Sequence, residues 1–323
     1  MLLKFRPARV EDFDECLDRL RDRCVYTRQD LADLHVLWHD VLTGGAGNFA
    51  IIEDLDAAAG QKILYFIFKV FVTDEFAAQL AGGKGPYMGF QVLDELRAGR
   101  APLLTHSELR HANSADGANM VILSYGTAPQ YQLPETRTWL ANRSADWIPF
   151  ANGGYRLKLL LMELNDHFEW NYAEAFGGSL YTDYRHLPAG VFRDCVPEPR
   201  LYGMTYEDAM GDKGAGDTGT LASLIFARRL PRFGFTSPQQ NLLLHALAGS
   251  TDEELAVDLR LALVSVKKRW GNIYDRVAEV APDVLPTPVP DEIGNTRAAQ
   301  KRRRLLSYVR IHMEELRPYD PPH

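Results

Sequence analysis

The sequence predicts a chain of mixed fold class, with an amino-terminal α/β domain and a carboxy-terminal all-α helix-turn-helix domain. Runs rich in β-branched and aromatic residues at 48–53, 62–73 and 119–125 predict strands. Apolar residues at helical spacing between 236 and 281 predict a compact block of short helices. Between these regions, residues 207–220 contain four glycines and few apolar side chains, which favours a flexible linker.

Charge is distributed unevenly along the chain. The 323 residues have a net charge of −7. From Arg260 onward there are 12 Lys and Arg residues against 8 Asp and Glu, whereas residues 1–259 contain 24 against 35. A basic end on an acidic body is typical of a protein that contains a nucleic-acid-binding module. The composition, 46% hydrophobic and 11% aromatic, excludes collagen-like and fully disordered chains.

The amino-terminal region is predicted to combine helices with strands. Phe13, Leu17 and Leu20 recur at helical spacing, so residues 11–23 are expected to form a helix that packs by one face. The other predicted elements are a hairpin of strands 48–53 and 62–73, a central strand at 119–125, a helix at 155–164 and a strand at 180–184.

Changes in composition predict the domain boundaries. Glycine and proline concentrate where the apolar periodicity stops, which marks connections between packed units. The expected segments are an α/β regulatory domain at 1–206, a glycine-rich linker at 207–220, a helix-turn-helix domain at 221–281, and a proline-rich break with a basic amphipathic helix at 282–323.

The pattern between residues 236 and 277 is that of three short helices. Thr251 is followed at the third position by Glu254, a capping-box pattern that starts a second helix after Gly249 ends the first. In the third helix an apolar stripe recurs at i, i+4, i+7 and i+11 and consists of Val266, Trp270, Ile273 and Val277. Two short helices, a tight turn and a basic third helix predict a helix-turn-helix, whose last helix enters the major groove of DNA.

This stretch resembles the LuxR/GerE-type DNA-binding domain. The resemblance rests on Gly249 and residues 254–256 in the first two helices, and on residues 266–267 and 272–274 in the third. Arg260 stands where that family usually has glycine, and Ala262 where a capping serine is common. The resemblance implies that DNA is contacted by the polar side chains beside the apolar stripe, namely Ser265, Lys267, Lys268, Arg269 and Asn272.

The amino-terminal region resembles the GNAT acetyltransferase fold. Residues 5–8 and 11–13 are similar to its first strand and the entry to its first helix, and the hairpin and central strand follow in a compatible order. That fold holds the diphosphate of coenzyme A on a glycine-rich turn after the fourth strand. Residues 126–130 read Gly-Thr-Ala-Pro-Gln and lack such a turn. Acetyl transfer is therefore kept as the alternative function.

No catalytic residue, metal site or cofactor is predicted. Glu163 and His167 have the spacing of a ligand pair, but the sequence offers no third ligand nearby. Capping of a helix end by residues 165–166 explains this stretch better. His35 and His39 are also four residues apart, and their apolar neighbours favour a packed helix face.

Cysteine content and hydropathy indicate the compartment. Cys16, Cys24 and Cys195 have no CxxC spacing, so neither a disulfide framework nor a zinc site is expected. The first residues have no signal-peptide pattern, and the apolar run 63–72 is too short to cross a bilayer. We expect a cytoplasmic protein that does not bind membranes.

Together these patterns favour a DNA-binding transcriptional regulator that is not an enzyme. Its expected partners are double-stranded DNA, a second copy of the chain and a small-molecule or protein effector sensed by the amino-terminal domain. The alternatives are an acyl-CoA-dependent N-acetyltransferase with an accessory helical domain, and a protein-interaction module. The basic run 301–304 is expected on an appended helix whose role the sequence leaves open.

Overall fold

The computed structural model of the chain forms two compact units, Met1–Ala227 and Arg228–His323. It describes residues 2–21, 26–44, 46–58, 60–83, 85–131, 133–145, 147–188, 199–211, 221–285 and 294–320. Across these residues, no helix combines the length and the apolar character needed to cross a membrane.

The first unit combines seven strands with ten helices among its described residues. The strands are β1 (Leu3–Pro7), β2 (Gly47–Asp54), β3 (Ile63–Val72), β4 (Ala118–Thr127), β5 (Leu157–Leu164), β6 (Ser179–Asp183) and β7 (Arg200–Thr205). The helices are α1 (Phe13–Arg21), α2 (Arg28–Gly44), α3 (Asp74–Ala81), α4 (Met88–Arg97), α5 (His106–Ser114), α6 (Pro134–Ala145), α7 (Ile148–Asn152), α8 (His167–Ala175), α9 (Tyr206–Met210) and α10 (Leu221–Phe226).

The strands form one sheet in the order β1-β2-β3-β4-β5-β7-β6. The predicted hairpin is confirmed as the antiparallel pair β2–β3, and the predicted central strand is confirmed as β4. Among the described strands, β4 and β5 form the parallel pair, and their neighbours are antiparallel. The first unit therefore has a mixed α/β fold, as the sequence predicts.

The helix predicted at 155–164 was wrong, because residues Leu157–Leu164 form β5. Its side chains alternate between the two faces of the sheet: Leu161 belongs to the core on one face, and Leu160 to a cluster on the other. Because helices cover both faces, nearly every position of the strand is apolar and the period of two is hidden. A short apolar run of this kind cannot be assigned by periodicity alone.

The first unit extends to Ala227 and includes α9 and α10. The short helix α10 packs through Ala222, Ile225 and Phe226 against sheet residues of the first unit, such as Phe71. The expected linker begins as helix α9, which Thr205 caps by accepting from the backbone N–H of Asp208. Residues 212–220 lie outside the described part of the chain.

The described residues of the second unit form helices α11 (Ser237–Leu247), α12 (Asp252–Asp258), α13 (Leu263–Val280) and α14 (Gly294–Ile311). The capping box of Thr251 and Glu254 starts α12, as predicted. The apolar stripe of α13 is buried as predicted: Val266, Ile273 and Val277 are 0% exposed. Arg260, in the turn between α12 and α13, has a φ of 52°, in the left-handed region that favours glycine.

Candidate functional site

The parallel strands β4 and β5 separate partway along their length. Their last paired residues are Ile122 and Met162. Beyond this pair β4 continues to Thr127 beside β3, and β5 continues to Leu164 beside β7. Beyond this pair, the edges of β4 and β5 that face each other are no longer paired, and side chains of both strands border the opening between them. This opening is the candidate site.

Glu163, the residue after the last pair, lies at this separation and points toward the start of α4. Its carboxylate accepts hydrogen bonds from the backbone N–H groups of Tyr87 and Met88, each at 2.6 Å. The helix approaches β4 closely here. A Cβ added to Gly89 would lie only 3.2 Å from the Leu123 carbonyl oxygen. Burial raises the pKa of Glu163 to about 7, although the two backbone hydrogen bonds act in the opposite direction.

Tyr184 lies in the same core and is 0% exposed. Among the described residues its hydroxyl has no hydrogen-bond partner. Burial, and to a smaller extent the charge of Glu163, raise the pKa of this hydroxyl well above its usual range. The phenol therefore stays neutral.

On the opposite face, the side chain of Tyr125 bridges the separated strands. Its hydroxyl donates to Glu169 Oε2 at 2.6 Å, accepts from Asn165 Nδ2 at 3.1 Å, and lies 3.2 Å from the carbonyl oxygen of Glu163. Because Glu169 and Asn165 follow β5 and Tyr125 belongs to β4, this cluster ties the two strands together where backbone pairing has stopped.

Arg137 of α6 orients the cluster. Its guanidinium contacts Glu169 Oε1 at 2.7 Å and Asp166 Oδ2 at 2.6 Å. It also lies over the ring of Phe168, 4.6 Å from the centroid. Asp166 caps α8 by accepting from the backbone N–H of Glu169 at 3.0 Å. Arg137 and Tyr125 thus hold one oxygen of Glu169 each, and Glu169 in turn fixes the orientation of both side chains.

A cavity of about 210 Å³ lies on this face of the sheet. Side chains of β3, β4 and β5 form its floor, and α6, α7 and α8 supply most of its other walls. The lining is mostly apolar and includes Ile67, Ile122, Leu140, Trp147 and Met162. Tyr125, Arg137 and Glu169 form one polar part of the wall. A mostly apolar cleft with a few placed polar groups is typical of a small-molecule site.

Lys69 and Asn152 form a second polar part of the same cavity wall. Lys69 is 0% exposed, and its ammonium donates to Asn152 Oδ1. Asn152 Nδ2 donates to the Ile148 carbonyl oxygen at 2.8 Å, which fixes the orientation of the carboxamide. In the sheet, Lys69 pairs with Ile122, whereas Tyr125 pairs with Ile67, so the two polar groups lie at different levels along the strands.

The segment after β4 offers few groups for binding a diphosphate. Pro129 and Pro134 have no backbone N–H. The N–H of Ala128 donates to Leu64, and that of Tyr131 donates to Ala128. Helix α6 begins at Pro134 with an acidic residue, Glu135, in its first turn. A carboxylate at a helix start opposes the binding of an anion there.

The side chains predicted to contact DNA lie in the second unit, on α13. Ser265, Lys267, Lys268 and Asn272 are exposed and Arg269 is half-buried, so the structure groups them along one helix beside its buried stripe. Arg269 donates to the carbonyl oxygen of Pro238 at 3.2 Å.

The structure separates the suspected metal ligands of the sequence. Glu163 belongs to β5 and is held by α4, whereas His167 begins α8 and stacks edge-on against Trp170. No group of three or more metal-ligating side chains occurs among the described residues. Burial raises the pKa of the Cys16 thiol well above its ordinary value. Cys24 and Cys195 lie outside the described residues.

Sequence reasoning missed Lys69, Tyr125, Arg137 and Glu169 as members of a site. One signal was present in the sequence: Lys69 is a cation inside the apolar strand run 63–72, a position where a buried strand rarely places charge. Glu169 lies 32 residues after Arg137 and 44 after Tyr125 in the sequence, and only the fold brings these side chains together.

No protein-family model and no curated protein matches this sequence. Several solved structures are similar in fold. The carboxy-terminal condensation domain of Ebony, in complex with β-alanyl-dopamine, is 10% identical and has a TM-score of 0.40, with 64% of this chain and 99% of that one covered. A Corynebacterium glutamicum protein, described as histone acetyltransferase HPA2 and related acetyltransferase, is 12% identical and has a TM-score of 0.33, with 63% of this chain and 95% of that one covered. The spermidine/spermine N-acetyltransferase SpeG from Vibrio cholerae is 12% identical with a TM-score of 0.35, covering 63% and 93%.

These comparisons correct the main functional expectation. The solved structures named above are acetyltransferases and a condensation domain. The expectations of transcription regulation, of double-stranded DNA as partner and of a chain that is not an enzyme were therefore wrong. What is shown is a mixed α/β fold with one seven-stranded sheet in the amino-terminal part of the chain.

Proposed function

We propose that the first unit is an acyltransferase that moves an acyl group from a thioester to an amine. The observation that supports this most directly is Glu163, a half-buried carboxylate at the point where the parallel strands of a GNAT-like sheet separate. A general base works best when its pKa is close to the working pH, and burial raises the pKa of Glu163 to about 7.

In the proposed reaction, the amine nitrogen bonds to the acyl carbon and the carbon–sulfur bond breaks. Glu163 accepts the proton that the nitrogen loses, the departing thiolate takes a proton from water to leave as a thiol, and Glu163 then returns its proton to water. The backbone N–H groups of Tyr87 and Met88 hold the carboxylate in place. Tyr125, which lies 3.2 Å from the Glu163 carbonyl oxygen, keeps β5 at a fixed distance from β4.

The GNAT-like fold implies coenzyme A as the carrier of the acyl group, and the segment after β4 does not fit its diphosphate. Pro129 and Pro134 offer no N–H, the N–H groups of Ala128 and Tyr131 are used within the chain, and Glu135 places negative charge at the start of α6. No step is therefore assigned to the nucleotide part.

Acyl transfer is tested with short thioesters of N-acetylcysteamine and a panel of primary amines, by following thiol release with Ellman's reagent. We expect amine-dependent release that falls about 100-fold in Glu163→Gln, because general bases contribute factors of this size. The wild-type rate is expected to rise with pH through about 7, the pKa of Glu163, and this limb should be absent in the variant. Equal rates in both proteins, with circular dichroism confirming the fold, would contradict the proposal.

A parallel assay with acetyl-CoA tests the mismatch at the diphosphate. Because the described residues after β4 offer few groups that would bind it, acetyl-CoA is expected to be no better a donor than the acetyl thioester of N-acetylcysteamine. A kcat/KM for acetyl-CoA higher by about tenfold or more, equal to more than 1 kcal/mol of extra binding, would show that the nucleotide is bound after all.

A further inference from the structure

The cavity on α6, α7 and α8 reaches the opening between β4 and β5. Its lining includes Ile122 and Met162, the last residues that pair the two strands. It also includes Tyr125 and Leu164, which lie beyond that pair. Because successive side chains of a strand point to opposite faces, Met162 and Leu164 face the cavity, whereas Glu163 lies on the other face and meets α4. A group held between the two strands would therefore have Glu163 on one side and the cavity on the other.

The charged side chains of the cavity wall are paired within the protein. Among the described lining residues, those with a charge are Lys69, Arg137 and Glu169. Lys69 is 0% exposed, and its ammonium donates to Asn152. Arg137 and Glu169 form an ion pair at 2.7 Å. Since a charged ligand group would give up its hydration and meet side chains that are already engaged, the wall favours an uncharged group.

The size of the cavity indicates how long such a group is. Apolar side chains, such as Ile67, Leu140, Trp147 and Leu160, supply most of the lining. An apolar cavity of about 150 Å³ in another protein holds a benzene molecule, and the volume here is about 210 Å³. A chain of about six to eight carbon atoms fits a space of this size, whereas an acetyl group would leave most of it empty.

We propose that the cavity receives the chain of the transferred acyl group, so that the preferred donor is an uncharged medium-chain acyl thioester. This inference rests on the proposed acyl transfer and adds the class of acyl group. The reacting carbon lies in the opening between β4 and β5, and the chain passes Ile122 and Met162 into the cavity. Each methylene group that leaves water strengthens binding about fourfold, so a longer chain is preferred until the cavity is full.

The chain length of the acyl donor tests the inference directly. Acetyl, butanoyl, octanoyl and dodecanoyl thioesters of N-acetylcysteamine are compared with one amine, and thiol release gives kcat/KM for each. We expect kcat/KM to rise about 100-fold or more from acetyl to octanoyl, and to rise no further for dodecanoyl. An eight-carbon donor that ends in a carboxylate should be poorer than octanoyl by about tenfold or more, because its charge loses water. Equal values for acetyl and octanoyl, or for the octanoyl and carboxylate-ended donors, would overturn the inference.

Two variants change the volume of the cavity in opposite directions. Ala151→Leu enlarges a side chain that is 3% exposed and lines the cavity, so kcat/KM for octanoyl should fall about tenfold while that for butanoyl changes little. Ile67→Ala lengthens the space and should raise kcat/KM for dodecanoyl relative to octanoyl.

Ala78→Leu is the matched control, because Ala78 is exposed on α3 and gains the same side chain away from the cavity. It should keep the wild-type preference. Wild-type preferences in both cavity variants would contradict the inference. Should Ala151→Leu not fold, Ile67→Ala and the donor series decide.

Thioether analogues separate this inference from acyl transfer itself. The S-octyl and S-ethyl derivatives of N-acetylcysteamine have no thioester carbon, so isothermal titration of the full chain measures binding without transfer. We expect the S-octyl compound to bind about tenfold or more tightly than the S-ethyl compound, and to lose this advantage in Ala151→Leu. Transfer without a preference for chain length would overturn this inference and retain the acyltransferase. Chain-dependent binding without transfer would overturn the acyltransferase and retain the cavity as the site of an uncharged apolar chain.

Discussion

One face of the first unit's sheet is filled by aromatic side chains, whereas the other face borders a cavity. On the face covered by α1 and α2, Trp38 contacts the rings of Phe13, Phe49, Phe66 and Phe68 with centroids 4.9 to 5.7 Å apart. On the face covered by α6, α7 and α8, the same strands surround a cavity of about 210 Å³. Alternation along β3 produces both, because Phe66 and Phe68 point one way and Ile67 and Lys69 the other.

The close packing of the first face shows that the cavity on the other face does not result from a general shortage of large apolar side chains. A strand that fills one face with aromatic rings leaves space on the other, and places its buried lysine there. Cavities in a core reduce stability, since the atoms around them lose contacts. A chain that packs one face so closely and keeps a polar-lined space on the other has the pattern expected of a ligand site.

The largest expected effect is that of Trp38→Ala on the filled face. Removing a fully buried indole among four aromatic rings is expected to lower the free energy of unfolding by about 3–5 kcal/mol. Ile67→Ala, on the cavity face, is the comparison and is expected to cost less than half as much, since its side chain already borders empty space. Urea unfolding of both variants measures this, and equal losses would remove the distinction between the faces.

A smaller effect is expected from the titration of Glu163. Because burial raises its pKa to about 7 in the folded chain, from an ordinary value of 4.5, the folded state holds a proton that the unfolded state has released. Stability should therefore fall as pH rises from about 4.5 to about 7, and level off above that. Between pH 5 and pH 8 the fall attributable to Glu163 should be about 2 kcal/mol.

Glu163→Gln provides the control for this pH dependence. The variant loses one of the two acceptors for Tyr87 and Met88, so its stability shifts at every pH. Its stability should nevertheless lack the additional fall between pH 5 and pH 8, which unfolding curves at both pH values would show. A wild-type chain whose pH dependence matches that of the variant would mean that this carboxylate is ionised throughout the range.

The smallest expected effects come from one substitution made on each face. In Tyr184→Phe the hydroxyl that is removed is buried and, among the described residues, unpartnered, so stability should be unchanged or rise by up to about 1 kcal/mol. In Tyr125→Phe the hydroxyl contacts Glu169 and Asn165, and its loss should cost about 1–2 kcal/mol. Thermal unfolding of the pair distinguishes them, and a larger loss in Tyr184→Phe would contradict the assigned contacts.

The sequence predicted the elements of the sheet better than its site. The strands β2, β3 and β4 could be predicted because strand propensity and turn residues are local signals. Strand β5 was misassigned as a helix because both of its faces are buried. The contact between Lys69 and Asn152 spans 83 residues, and that between Tyr125 and Glu169 spans 44, so no local sequence pattern could predict either contact.

The functional expectation failed for a related reason. The pattern on α13 described local helices and their caps correctly, including the stripe of Val266, Ile273 and Val277. A basic helix beside such a stripe is nevertheless compatible with many functions, and fold alone does not imply one. The chemically informative residues, Glu163 and Lys69, lie in the other unit on apolar strands, where composition hides them.

The insertion of α3, α4 and α5 between β3 and β4 has a consequence for folding kinetics. The pairs Lys69–Ile122 and Ile67–Tyr125 join strands that are separated in sequence by all three helices. Closing such a loop costs more chain entropy than closing the β2–β3 hairpin, and non-local pairing slows folding. We therefore expect the β2–β3 hairpin to form early. Strand β4, and with it the floor of the cavity, is expected to join the sheet only after the three helices have formed.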